Sequence, residues 1–263
     1  MRPVIALLTD FGTADHYAGT IKGVILGICP DVTLVDISHD IPAHDVVAGA
    51  LELAAAYKYF PAGTIFVAVV DPGVGSARRG LAADTGDYRF VAPDNGVLTL
   101  ALRESPPKKI VELTERRYAR PTVSRTFEGR DRFAPAAAWL AKGTQLAGLG
   151  RPVGEIHKLD LPVAEAGADA LTGVVIRVDR FGNLVTNIDR KAVERLGQAG
   201  AITIDAGGTR IESLVATYAE LPADGVGALF GSTDHLELAA PSSSAAARLS
   251  LARGALVTVS RQG

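Results

Sequence analysis

Val4-Ile5-Ala6-Leu7-Leu8-Thr9-Asp10 is a short apolar run that ends on a carboxylate, and the pattern returns as Val32-Thr33-Leu34-Val35-Asp36 and as Thr64-Ile65-Phe66-Val67-Ala68-Val69-Val70-Asp71. Continuous apolar runs of this length mark strands buried on both faces. Residues 17–28 and 45–59 lie between the runs, rich in Ala, Leu and Ile and stopped by Pro30 and by Pro61-Ala62-Gly63, which predicts two helices. Strand and helix alternating in this order predict a parallel sheet with right-handed crossovers. Further on, residues 81–84 and 88–91 flank Thr85-Gly86-Asp87 and read as a hairpin, and residues 131–142 read as another helix.

The pattern changes after residue 148. Residues 148–167 carry Gly, Pro and polar residues around few apolar ones, so a linker is placed at 151–167, between an α/β domain at 1–150 and a second domain at 168–263. In the latter, short alternating runs at 171–178, 184–188, 201–204, 209–212, 228–230, 236–239 and 256–259 predict strands, with Ala206-Gly207-Gly208 as a hairpin turn. The expected architecture is an N-terminal three-layer α/β domain with a parallel sheet core, followed by a small C-terminal β-barrel-like domain.

Composition narrows the functional classes. The chain has 263 residues with 27 Lys+Arg against 29 Asp+Glu, a formal net charge of −2, which lacks the basic excess of a protein that binds phosphate backbones. Nucleic acid is not an expected partner. No apolar stretch approaches a membrane-spanning length, and the first residues do not form a signal-peptide core. Cys29 is the single cysteine, so no internal disulfide and no zinc cluster are expected, and a cytoplasmic setting fits.

Asp10, Asp36 and Asp71 each fall at the carboxyl end of a predicted parallel strand, the edge at which open α/β sheets place ligands. A single such Asp is most simply a cap or turn former; three on one edge point to a site. Asp10 opens the polar loop Phe11-Gly12-Thr13-Ala14-Asp15 and is suited to accept both hydroxyls of a ribose. Asp36 has local partners in Ser38, His39 and Asp40 and reads as structural. Asp71-Pro72-Gly73-Val74-Gly75-Ser76-Ala77-Arg78-Arg79 joins a carboxylate, a glycine-rich turn that admits close backbone approach and two guanidinium groups; the alternative for Arg78-Arg79 is a solvated hairpin edge. The segment lacks the spacing of a Walker loop, and no GxGxxG follows the first strand as a dinucleotide enzyme requires. Thr126-Phe127-Glu128-Gly129-Arg130-Asp131 precedes a helix that Thr126 or Asp131 is able to cap, with Glu128 a site residue or a favourable first-turn charge. Phe181 and Asn183 sit in Asp179-Arg180-Phe181-Gly182-Asn183, a turn in which the aromatic either packs on its own hairpin or stacks on a base beside an amide.

Taken in order, Thr9-Asp10-Phe11-Gly12, Val35-Asp36-Ile37-Ser38-His39, Asp71-Pro72-Gly73-Val74-Gly75 with Arg78-Arg79, Pro93-Asp94-Asn95-Gly96, Thr126-Phe127 with Gly129-Arg130-Asp131, and Phe181-Gly182-Asn183 closely resemble the S-adenosyl-L-methionine (SAM) hydroxide adenosyltransferase family, whose relatives include fluorinase and chlorinase enzymes. The resemblance runs from about residue 4 to residue 259. It implies a homotrimer whose active sites lie between the N-terminal domain of one subunit and the C-terminal domain of the next. It also implies that SAM is a substrate rather than a cofactor, that no metal takes part, and that the products are adenosine and L-methionine. By motif, Asp10 would hold the ribose diol, Asp15 and Asp179 would face the methionine amino group, Phe181 would stack near the adenine and Asn183 would bond its edge. Ser232, in Phe230-Gly231-Ser232-Thr233, would contact the methionine carboxylate or amine.

In the hydrolase branch of that family, water activated by an Asp-Arg-His set attacks C5′ of the ribose and expels methionine. Asp71 and Arg78 match two of the three, while Glu128 stands where that pattern has histidine. The halogenase branch has uncharged residues in place of the Asp-Arg pair. Two carboxylates near an anion site would repel a halide by on the order of a kcal/mol or more each at an effective dielectric near 20, whereas water gains from a carboxylate that orients it. The expected activity is therefore SAM hydrolysis by in-line attack; the alternatives are a catalytically altered or inactive SAM-binding member of the same family and, after it, a SAM-dependent halogenase.

Overall fold

A computed structural model describes residues 2–197 and 201–261. Two compact units divide the chain, residues 1–159 and residues 160–263.

The first unit contains, in chain order, β1 (Val4–Thr9), α1 (Tyr17–Ile28), β2 (Thr33–Ser38), α2 (Val46–Ala56), β3 (Ile65–Val69), β4 (Gly80–Asp84), β5 (Arg89–Pro93), α3 (Thr99–Glu104), β6 (Lys109–Leu113), α4 (Ala134–Ala141) and β7 (Gly150–Pro152). The sheet runs in the order β2-β1-β3-β5-β4-β6-β7. β2, β1, β3 and β5 are parallel, with Ile5 opposite both Leu34 and Ile65, and β4, β6 and β7 continue the sheet antiparallel. Alternate residues of a strand point to opposite faces, and β1 fills two cores this way. Ile5 and Leu7 pack with Ile21 and Ile25 of α1 and Ala134 to Leu140 of α4. Ala6 and Leu8 pack on the other side with Leu53 of α2 and Ala101 and Leu102 of α3. Helices on both faces of one sheet make the three layers that the sequence predicts.

Several elements differ from expectation. β6, α3 and β7 have no counterpart in the sequence reading, and the helix placed at 131–142 starts as a π-helical turn at Gly129–Phe133 before it becomes α4. Neither Thr126 nor Asp131 caps α4; Pro135 occupies its first turn and no side chain caps it. Within the stretch read as a linker, residues 150–152 form β7, Asp94 Oδ1 accepts the His157 N–H at 2.8 Å, Arg79 donates to the Glu155 carbonyl at 2.8 Å and Thr99 Oγ1 accepts the Leu159 N–H at 2.9 Å.

The second unit contains β8 (Glu165–Ala166), β9 (Ala170–Val178), β10 (Leu184–Asp189), α5 (Arg190–Gly197), β11 (Ile202–Ala206), β12 (Thr209–Ile211), β13 (Gly227–Phe230), β14 (His235–Ala239), α6 (Ala245–Leu249) and β15 (Leu256–Arg261). Its antiparallel sheet runs β12-β11-β15-β9-β10-β14-β13, with β8 beside β9. β9 alternates buried and half-buried residues, so that Leu171 and Val175 enter one core with Leu184, Ile204, Leu236, Val257 and Val259. Val193 and Leu196 of α5 join that core. The strands curl around it as a nearly closed, barrel-like sheet.

Candidate active site

The carboxyl ends of β1 and β3 face a cleft of about 240 Å³ whose polar lining includes Asp10, Asp71, Thr126 and Glu128 and whose apolar lining includes Phe11, Tyr17 and Phe127. The three aromatic rings pack edge to face or tilted, with centroids 5.9 Å apart for Phe11–Tyr17, 5.8 Å for Phe11–Phe127 and 5.1 Å for Tyr17–Phe127. They form an apolar wall opposite charged groups, the mixed lining typical of small-molecule sites.

Asp10 is oriented by the loop after β2. Its Oδ2 accepts the His44 N–H at 2.9 Å, and the His39 carbonyl accepts the Gly12 N–H at 2.7 Å. Beneath them, Thr9 Oγ1 lies 2.8 Å from His39 Nδ1, His39 Nε2 lies 3.0 Å from Asp36 Oδ1, and Lys22 Nζ donates to Asp36 Oδ2 at 2.6 Å. Burial pushes the Asp36 carboxyl up, but the hydrogen bonds and charges of Lys22 and His39 more than offset this and hold it below the usual carboxylate value. Asp36 thus supports the loop from behind and stays outside the cleft lining, as its local partners in the sequence suggest.

Asp71 leaves the end of β3 with the preceding Val70 carbonyl fixed by Asn95 Nδ2 at 2.8 Å. The chain then turns through Gly75, whose φ of 76° and close neighbour exclude a side chain, since a Cβ there would lie 2.2 Å from the Arg125 carbonyl oxygen. Arg125 Nη2 donates to the Gly75 carbonyl at 3.0 Å, which ties the Asp71 loop to the Thr126 segment. Arg78 returns to Asp71 as a fork. Its Nε donates to Oδ1 at 2.9 Å and its Nη2 meets Oδ2. The same Nη2 lies 2.5 Å from Glu128 Oε2, and the guanidinium carbon sits 5.2 Å from the Phe133 ring centroid. The side chains of Asp71, Arg78 and Glu128 are only 6%, 9% and 10% exposed. Burial pushes the Arg78 guanidinium down, but Asp71 and then Glu128 outweigh it, and Arg78 is held above its usual range. Glu128 Oε1 has a longer ion pair with Arg132 Nη1, at 3.6 Å. Its Oε2 is buried from solvent, with Arg78 Nη2 as its close cationic partner.

Of the other sequence-predicted residues, Asp15 belongs to the first unit and Asp179, Phe181, Asn183 and Ser232 to the second. Asp15 is exposed ahead of α1 and does not line the cleft. In the second unit, Asp179 Oδ1 accepts the N–H groups of Phe181 at 2.9 Å and Asn183 at 2.8 Å, and its Oδ2 accepts from Asn183 Nδ2 at 2.9 Å. The β9–β10 turn is therefore built around that carboxylate, with Asn183 buried and Phe181 77% exposed. Gly182, at φ 84°, is pressed against Ser244, and Ser232 is exposed in the turn between β13 and β14. The cleft also holds residues to which the sequence reading gave no role. His44, Tyr17 and Phe127 line it, and Arg132 backs Glu128; the four-residue spacing of Glu128 and Arg132 was the one available signal. Among the described residues, no group of three or more His, Cys, Asp or Glu is placed to hold a metal ion.

Residues 5–150 match the SAM hydroxide adenosyltransferase N-terminal domain and residues 173–258 the SAM hydroxide adenosyltransferase C-terminal domain. The chain belongs to the SAM hydroxide adenosyltransferase family. Among similar proteins of this family, the (R)-S-adenosyl-L-methionine hydrolase of Thermus thermophilus is 38% identical across 97% of this chain and 98% of its own. The protein of the same name from Salinispora tropica is 43% identical across 69% and 70%, and a fluorinase of an Actinoplanes species is 32% identical across 74% of each. A crystal structure of an uncharacterized conserved protein from Thermotoga maritima superposes with a TM-score of 0.90 at 32% identity, covering 98% of this chain and all of that one.

Proposed function

We propose that this family member hydrolyses SAM to adenosine and L-methionine. The observation that carries the reading is that Asp71 and Glu128, joined through the buried Arg78, line the same cleft as Asp10, supported by relatives that bear the hydrolase name at 38% and 43% identity. Asp10 binds the ribose diol through the carboxylate oxygen that His44 leaves free. A water that donates to the cleft-lining carboxylates of Asp71 and Glu128 attacks C5′ opposite sulfur; the new C5′–O bond forms as C5′–S breaks, and the electron pair stays on sulfur. One water proton passes to a carboxylate and then to solvent, while Arg78 stabilises developing hydroxide. The sulfonium is a cationic leaving group that needs no acid, so alignment of oxygen, carbon and sulfur is the main task, and the chemistry calls for no further cofactor.

The remaining roles rest on the family resemblance. Asp15 and Asp179 face the methionine amino group, Phe181 stacks near adenine, Asn183 bonds the adenine edge and Ser232 contacts the methionine carboxylate or amine. Residues 1–150 supply catalysis and 168–263 nucleobase contacts, in a cytoplasmic homotrimer whose sites form between subunits. Chromatography after incubation of the purified protein with SAM tests the reaction. Adenosine and methionine in equal amounts are the expected products. A 5′-halo-adenosine formed in chloride or fluoride with no adenosine would overturn the hydrolase reading, and binding without any product would leave a non-catalytic family member.

A further inference from the structure

His44 stands out because a residue with a side chain occupies backbone that favours glycine. Its φ is 68°, a left-handed conformation that is strained for a β-carbon-bearing residue and, at functional sites, persists where the surroundings impose it. The backbone does useful work there: the N–H is the donor to Asp10 Oδ2 at 2.9 Å, and the next residue, Asp45, caps α2 by accepting the Ala48 N–H at 2.9 Å. Glycine would serve both purposes without the strain. The imidazole is therefore the part of His44 that the backbone role does not explain. It lines the cleft, its residue is exposed, and neither ring nitrogen has a hydrogen-bond partner among the described residues.

Position limits what the ring is able to reach. An N–Cα bond of about 1.5 Å places the His44 Cα no more than about 4.4 Å from Asp10 Oδ2, given the 2.9 Å hydrogen bond. A side chain rooted that close, on the wall of the same cleft, reaches the group that the free Oδ1 of Asp10 binds. We infer that His44 is a substrate-contacting residue: its peptide N–H orients Asp10 and its imidazole hydrogen-bonds the same vicinal diol that Asp10 accepts. This rests on the proposed SAM reading and adds to it a specificity element for the ribose hydroxyls. Asp10 is acceptor only, whereas an imidazole offers one donor and one acceptor, so together they satisfy a hydroxyl that must both give and take a hydrogen bond.

The test compares the parent, His44→Gly and His44→Asn with SAM and its 2′-deoxy and 3′-deoxy analogues. Glycine keeps the backbone geometry and N–H while deleting the ring, and asparagine tolerates left-handed backbone and retains a donor and an acceptor. Expected are a melting temperature for His44→Gly near the parent's, a KM for SAM raised about tenfold with kcat changed less, partial recovery in His44→Asn, and a glycine penalty below about twofold on whichever deoxy analogue lacks the contacted hydroxyl. A His44→Gly variant that folds and keeps the parent KM overturns the inference, as does an equal penalty on SAM and both analogues. If the parent neither binds nor cleaves SAM, the hydrolase reading falls together with it; cleavage by the parent with an indifferent His44→Gly overturns this inference alone.

Discussion

Glu128 shares Arg78 with Asp71 at a position where one guanidinium faces two carboxylates, all but closed to solvent. Its Oε2 is buried and ion-paired with the same Arg78 Nη2 that meets Asp71. A second negative charge beside the cleft also attracts the sulfonium of bound SAM. Positive charge on sulfur fades as C5′–S breaks, so that attraction stabilises the ground state more than the transition state. Across roughly 10 Å at an effective dielectric near 20, the difference is on the order of a kcal/mol, which predicts tight binding with slow turnover. Glu128→His, which removes the charge and keeps a hydrogen-bonding group, is expected to raise kcat for adenosine formation several-fold while weakening SAM affinity. The measurement is single-turnover adenosine release from about pH 5 to about pH 9. A folded, SAM-binding variant no faster than the parent at any pH would show that the carboxylate is a competent replacement for imidazole.

At the scale of elements, the segment that carries Glu128 is held in place from its far side. Asp131, in the π-helical turn before α4, is wholly buried. It accepts the Ser124 N–H at 2.8 Å and bonds from Arg130 Nε and Nη2 at 2.7 and 2.8 Å, with Arg120 Nε at 3.2 Å. The wide turn and the buried carboxylate together aim Thr126 to Gly129 at the cleft, a use of π-helical geometry that recurs at functional sites. Burial raises the Asp131 carboxyl, but the hydrogen bonds from Arg130 and Ser124 and the charges of Arg130 and Arg120 win, holding it below the usual carboxylate value. A carboxyl lowered on folding contributes stability that is complete above its unfolded value and is lost as pH falls through its folded one. Asp131→Asn is therefore expected to cost about 2 kcal/mol at neutral pH, kept modest because its arginine partners are partly solvent-screened, and to flatten the loss of stability below about pH 4. Thermal melts of parent and variant from neutral to acid pH check it; identical acid slopes would show that Asp131 is not linked to folding.

For the molecule as a whole, the first unit was the more legible part. β1 and β3 announce themselves because strands buried on both faces must be apolar throughout, and Asp10 and Asp71 after them mark the ligand edge; β2 repeats the pattern but is the edge strand, with no residue fully buried and Asp36 inside it and outside the cleft. β6 and β7 were not visible, because Lys109–Leu113 mixes Lys and Glu into an edge-side strand and residues 150–152 carry Gly and Pro. The close approach of Glu128 to Arg78 spans fifty residues and is legible in the sequence only through the family resemblance, while the left-handed turn at His44 leaves no mark in composition. Assembly is the remaining question at this scale. The second unit leaves Phe181 77% exposed, with its ring free to stack on a ligand. Phe181 gains nothing from its own turn, since Asp179 already organises that hairpin without the ring. If adenine stacks on Phe181 while Asp10 of another subunit holds the ribose, activity requires association, and the family resemblance sets the number at three. Light scattering at micromolar concentration is expected to give three chain masses, and Phe181→Ala to lower SAM affinity without changing that mass. A monomer mass with full activity would remove the shared site, and Phe181→Ala with unchanged SAM affinity would place adenine elsewhere.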